Sequence, residues 1–170
     1  MLDKRGAVLE TARRISTLMR DHSIGGAIIG GVAVVLHGHI RTTRDVDVWV
    51  DAPLAGFQKV LESNGASFDP KKKEFILDAI PVHLVDENMV QPPPRERVTI
   101  DKVTTVGMPD LVNMKLRSGL KNIARAQDLA DVIGLIRCHN LRGDFAAKIE
   151  KSLRPEFRKL VKAVQGDKRR

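Results

Sequence analysis

A chain of 170 residues is long enough to bury one real core and short for two independent domains. Its 42% apolar and 29% charged residues exclude a disordered chain. With no Tyr, one Trp and five Phe it lacks the aromatics of a base-stacking platform, and a single cysteine excludes an internal disulfide.

The formal charge of +8 is unevenly placed. Residues 141–170 hold ten Lys or Arg against four acids, which is +6 of the total. Such a face gathers phosphates, of a nucleotide or of a polynucleotide backbone, or is simply a solvated helix face with a frayed tail. The N-terminus mixes acids and bases around no apolar leader core. The longest apolar run, residues 24–36, is 13 residues and broken by glycine, against ~20 for a bilayer span. The expectation is a cytoplasmic protein with no membrane partner.

In chain order, residues 3–21 place Ala7, Val8, Ala12, Ile15, Leu18 and Met19 at helical spacing, and SIGG ends that helix. Residues 27–29 read as a short strand, 31–36 as one or two helical turns and 38–44 as a loop. Residues 45–50 then read as a strand with Val46, Val48 and Val50 on its core face. Pro53 opens a helix that Asn64 and Gly65 close. Residues 75–77 and 80–85 flank Asp78 and Ala79 as a tight hairpin. QPPPRER, 91–97, is a stiff connector unfit for a central strand, and a last strand falls within 98–106.

From Pro109 the pattern is helical, about 109–120, 124–138, 144–152 and 155–165. Cys138 lies on the second of these and is expected to be a buried, inert thiol. The fold class is therefore α+β (α/β): a core over 1–106 with a small mixed β-sheet flanked by helices, and a helical C-terminal part, 107–170, packed on it.

The chemistry concentrates in GGVAVVLHGHIRTTRDVDVWV, residues 30–50. Asp45 and Asp47, two apart on a strand, share a face about 7 Å apart, close enough to converge on one divalent cation. Without a counter-ion such proximity raises a pKa or costs stability; the other reading is an edge strand with both acids solvated or paired to Arg41 and Arg44. Gly30 and Gly31 sit between a strand and a helix start, where backbone N–H groups meet an anion with no Cβ in the way. GxGxxG and GK[ST] are both missing, which speaks against dinucleotide and P-loop sites. His37 and His39 form an HxH with no further ligand at zinc spacing.

This stretch resembles the nucleotidyltransferases of the DNA polymerase β superfamily, whose signature is GG or GS at a helix start followed after about a dozen residues by DxD. It is most similar to the abortive-infection (AbiEii-like) toxin and minimal nucleotidyltransferases, which read GGxAxxxHGxxRxTxDxDxxV; Gly30, Gly31, Ala33, His37, Gly38, Arg41, Thr43, Asp45 and Asp47 match. PDLVNMKLRSGLKNIARAQDLADVIGLI, 109–136, resembles the family's helical motif through Lys115, Arg125, Asp128, Asp131 and Leu135, with Gln127 in place of a lysine.

The resemblance implies a nucleotidyltransferase fold in which Asp45 and Asp47 hold Mg²⁺ (or Mn²⁺) against an NTP, ATP among them. It implies that Gly30 and Gly31 bind phosphate oxygens and that Lys115 neutralises triphosphate charge. Arg41 does likewise or clamps Asp45, and Thr43 either caps the turn or joins the nucleotide-binding residues, among which Asp128 is also counted. Asp128 and Asp131 orient Lys115 or Arg125. The family's third carboxylate, in a segment like GxxVDLL, is replaced by His83 in DAIPVHLVDE; Asp78 and Asp86, the nearest acids, have the opposite strand parity. Either His83 is the general base or turnover is lost.

The expected reaction moves an NMP from an NTP to an acceptor hydroxyl on RNA (a tRNA 3′ end among them), a small molecule or a protein, releasing pyrophosphate. The basic C-terminal helices would bind RNA, and a cognate antitoxin would be a partner. The alternative is a catalytically weak nucleotide-binding toxin–antitoxin or interaction protein.

Overall fold

The computed structural model describes residues 4–167. The chain divides into two compact units. Among the described residues, one comprises 4–36 and 41–107, and the other 37–40 and 108–167.

The first unit begins with α1 (Lys4–Asp21), followed by β1 (Gly26–Ile29), the short α2 (Gly30–Leu36), β2 (Val46–Val50) and α3 (Leu54–Ser63). β3 (Ser67–Asp69), β4 (Glu74–Leu77), β5 (Ile80–Val85), β6 (Arg97–Ile100) and β7 (Val103–Val106) complete it. The seven strands form one mixed sheet in the order β3-β4-β5-β2-β1-β7-β6, with β2 parallel to β5 and antiparallel to β1. Strand alternation explains its core: Val46, Val48 and Val50 are fully buried in a cluster with Val8, Ala12, Ile15 and Met19 of α1 and Phe57 and Leu61 of α3. The apolar stripe of α1 is the one its spacing predicts, except that Ala7 is exposed.

Three departures from the sequence reading have local causes. Residues 98–106 are a hairpin rather than one strand, because Asp101 and Lys102 both take positive φ (50° and 65°) and turn the chain between β6 and β7. β3 was not expected; its three residues are half-buried or exposed and carry no apolar alternation. The QPPPRER connector ends in strand, with Arg97 opening β6 at the sheet edge, where prolines before a strand are tolerated.

The second unit holds α4 (Met108–Lys121), α5 (Ala126–His139) and α6 (Arg154–Asp167). Residues 144–152, expected as a helix, instead form two short 3₁₀ stretches, Gly143–Lys148 and Lys151–Leu153. Leu111, Leu116, Val132, Leu135, Ile136, Phe157 and Val161 are among its buried residues. α5 ends on Asn140 in the left-handed conformation, one of the few non-glycine residues that accept it. Cys138, expected buried, is exposed, because it falls on the outward face of α5's last turn. No described helix is long and apolar enough to cross a membrane.

Candidate active site

Three neighbouring strands set the site in a row. Asp47 on β2 is the register partner of Ile29 on β1 and of His83 on β5. The β4–β5 hairpin pairs Phe75 with Val82, so one further step sets Glu74 opposite His83. Residues directly opposite on adjacent strands share a face, which places Glu74, His83 and Asp47 side by side. Asp45, two residues before Asp47, joins the same face.

The side chains meet accordingly. His83 Nδ1 lies 3.2 Å from Asp47 Oδ1 and 3.6 Å from Asp45 Oδ2, and His83 Nε2 lies 2.8 Å from Glu74 Oε2. Asp45, Asp47 and His83 are each 30–40% exposed at the side chain, whereas Glu74 is 9% exposed. Its other oxygen lies 3.7 Å from Lys72 Nζ. Burial lowers the pKa of His83, but the hydrogen bonds to Glu74 and Asp47 and the charges of Asp47 and Asp45 outweigh it and hold the imidazole above its ordinary 6.5. A carboxylate only accepts, so without a cation both ring nitrogens donate, Nε2 to Glu74 and Nδ1 to Asp47, and a cation at Nδ1 would take the place of that second proton. The ligand atoms of Asp45, Asp47 and His83 all lie within 4.8 Å of one another. Two hard oxygen donors and one imidazole around a net negative centre fit a divalent cation.

The glycines are shaped by this row. Gly30 takes φ +66°, and a Cβ there would run into the Asp47 carboxylate; a Cβ on Gly31 would stand 2.7 Å from Thr43 Oγ1 and 3.1 Å from an Arg41 guanidinium nitrogen. Their lack of a side chain is what lets α2 start hard against β2 and its loop. Thr43 is buried and its hydroxyl donates to the Asp45 carbonyl at 3.4 Å, a local turn bond. Arg41 Nη1 donates to the Thr42 carbonyl.

Both acids weighed as substitutes for a third carboxylate are engaged elsewhere. Asp78 sits at positive φ in the hairpin turn and pairs with Arg14, and Asp86 accepts from the Asn88 N–H at 2.7 Å. The acid beside His83 is Glu74, which the sequence reading missed. The signal was present: a two-residue turn at Asp78 and Ala79 fixes the hairpin register and with it the partner of His83.

The helical unit gathers the residues of the second motif. Lys115 Nζ lies 2.7 Å from Asp128 and 2.8 Å from Asp131, with side-chain exposures of 8%, 7% and 0%. Arg125 donates to Asp128 and Gln127 to Asp131. Burial raises the Asp128 pKa, but bonds from Lys115, Ser118 and Arg125 and the Lys115 charge overcome it and hold the group below 3.8. Asp128 and Asp131 thus orient Lys115; a triphosphate would reach that ammonium only at the expense of two buried pairs. The HxH residues serve structure: the His37 carbonyl accepts from His139 Nε2, and the His39 ring fills the space beside Gly134.

In the basic C-terminal stretch, Glu150 pairs with Arg117, Glu156 with Lys159 and Asp167 with Arg137. Arg158 and Lys162 are exposed on α6. Lys168, Arg169 and Arg170 lie outside the described residues.

No protein-family model matches the chain, and no curated protein matches it either. Among solved structures it is similar to the crystal structure of an antigenic nucleotidyltransferase-like protein from Paracoccidioides brasiliensis. That match has a TM-score of 0.59 and 15% identity, covering 78% of this chain and 77% of the other. At that identity the likeness is one of architecture: the chain has a nucleotidyltransferase-like α+β fold.

Proposed function

We propose that this protein is a divalent-cation-dependent nucleotidyltransferase of the AbiEii-like kind that moves an NMP from an NTP to an acceptor hydroxyl. The observation that carries the reading is the pairing of Asp45 and Asp47, partly exposed just before and on β2, with the glycine start of α2 at Gly30, in a nucleotidyltransferase-like fold.

Asp45 and Asp47 hold Mg²⁺ or Mn²⁺, which when bound neutralises triphosphate charge. The first N–H groups of a helix lack partners within it, so the amides of Gly30 and Gly31 are free of the helix ladder to meet phosphate oxygens. Arg41, beside Gly31, adds positive charge on the same side. The acceptor hydroxyl oxygen attacks the α-phosphorus in line, its proton passes to solvent water, and the bond from the α-phosphorus to the bridging oxygen breaks, so that pyrophosphate leaves with that oxygen. The role that the resemblance gives Lys115, neutralising triphosphate charge, would require it to leave its buried pairs with Asp128 and Asp131. The surplus of basic residues in 141–170 favours RNA, tRNA included, as the acceptor over a small molecule. A cognate antitoxin and a cytoplasmic setting go with the AbiEii-like reading.

The test is transfer of label from NTPs radiolabelled at the α-phosphate to total RNA with Mg²⁺ or Mn²⁺. Label enters the acceptor from the α- but not the γ-position, and the double variant Asp45→Ala, Asp47→Ala abolishes it. A second reading, nucleotide binding without turnover, draws on His83 standing between carboxylates on both ring nitrogens. It predicts NTP binding by the wild type with no incorporation into any acceptor.

A further inference from the structure

We infer that His83 is a cation ligand through Nδ1 rather than the general base, and that Glu74 is the positioning residue that holds its ring. The inference rests on the transferase reading and asks what replaces its third carboxylate. A base must keep a lone pair directed at the acceptor hydroxyl. Here Nε2 is committed to Glu74 at 2.8 Å, and Nδ1 lies 3.2 Å and 3.6 Å from oxygens of Asp47 and Asp45, within the span one cation bridges. Imidazole ligands characteristically donate the other ring N–H to a carboxylate, which fixes tautomer and ring direction. Glu74 meets that description: it is buried, it lies opposite His83 by the hairpin register, and its second oxygen faces Lys72. Neither Asp78 nor Asp86 can substitute, being tied to Arg14 and to the Asn88 amide.

The donor set has a consequence for the metal. Mg²⁺ favours oxygen donors and its own waters, while affinity at mixed nitrogen and oxygen sites rises along the first-row transition series. The site therefore selects Mn²⁺ or Co²⁺ over Mg²⁺, and His83→Asp, which restores an all-oxygen set, moves the preference back toward Mg²⁺.

The experiment is pulsed electron paramagnetic resonance on Mn²⁺ added to the full chain, with and without NTP, alongside calorimetric titration of Mn²⁺ and Mg²⁺. The expected result is a nitrogen hyperfine coupling in the wild type that disappears in His83→Asp while Mn²⁺ still binds. The ratio of Mn²⁺ to Mg²⁺ affinity falls in that variant. Glu74→Gln weakens Mn²⁺ binding about 10- to 100-fold, and Glu74→Asp serves if Gln does not fold. Mn²⁺ bound without nitrogen coupling overturns the inference and leaves the transferase reading standing. No Mn²⁺ binding in either condition overturns both. Unchanged Mn²⁺ affinity in the folded Glu74 variant overturns the positioning role.

Discussion

Two clusters of charge of similar make-up sit in the two units and are built to opposite ends. Around Lys115 a cation lies between two aspartates, all three nearly sealed from solvent and joined by Arg125 and Gln127. Around His83 one imidazole faces three carboxylates, and two of these, Asp45 and Asp47, remain 40% and 30% exposed. Burial in the first makes every charge answer to its partner, since an unpaired ion there has no water to fall back on. Exposure in the second lets water screen a surplus of negative charge that burial would not tolerate. The first cluster ties α4 to α5, and the second leaves two carboxylates open to solvent, as the proposed cation site requires.

The sharpest way to break that contrast is to remove the central cation of the buried cluster. Lys115→Met leaves Asp128 and Asp131 buried without their main partner, an arrangement that costs about 3–5 kcal/mol. Urea denaturation followed by circular dichroism measures it. A loss under about 1 kcal/mol, the range of exposed pairs, would erase the distinction between the clusters.

Gly30→Ala comes next. It combines a positive φ of 66° with a Cβ directed into the Asp47 carboxylate, and strain of this kind costs about 1–3 kcal/mol. Since Asp47 must move, Mn²⁺ binding weakens as well. Gly56→Ala on α3, where a Cβ meets nothing within 4 Å, is the control, expected to be neutral or to stabilise by up to about 1 kcal/mol.

How much of this was legible in the sequence depended on distance along the chain. Gly30, Gly31, Asp45 and Asp47 fall within eighteen positions, and local spacing was enough to put a strand, a helix start and two same-face acids together. The helical unit's Lys115, Asp128 and Asp131 were legible for the same reason, one helix supplying both acids at i and i+3. Glu74 was missed because its place depends on pairing across a hairpin and then across β5. The turn at Asp78 and Ala79 encoded that register, but as a count of residues rather than as a visible motif. Two further elements left no usable signal. Lys102 at positive φ is no ordinary turn residue, which hid the β6–β7 hairpin, and exposed Ser67 and Phe68 lack the alternation by which β3 would be read.

The pH dependence of stability sharpens the comparison at the level of one group. The carboxyl of Asp128 is held below its ordinary 3.8 in the folded chain, so it binds a proton less readily folded than unfolded. Its contribution is therefore fully present above 3.8 and is lost as pH falls through the depressed folded value. Urea midpoints measured from neutral pH into the acid range fall along that window. Asp128→Asn starts lower at neutral pH and falls less steeply, and equal slopes in the two proteins would mean that Lys115 and Arg125 do not hold the carboxylate charged.

The smallest effect on stability is expected at the open site, and it is the one that separates holding from binding. Asp47 is 30% exposed and its partner His83 36%, so its ion pair is screened by water, and Asp47→Asn changes stability by less than about 1 kcal/mol. A saturating cation is a different matter, because a ligand that binds only the folded state stabilises it by about 2.7 kcal/mol at one hundred times its dissociation constant. Thermal melts of the wild type therefore rise on adding Mn²⁺, while those of Asp47→Asn, starting from nearly the same midpoint, rise less. Equal shifts in the two would place the cation elsewhere on the chain, and a large loss without any cation would make Asp47 a structural residue like Asp131.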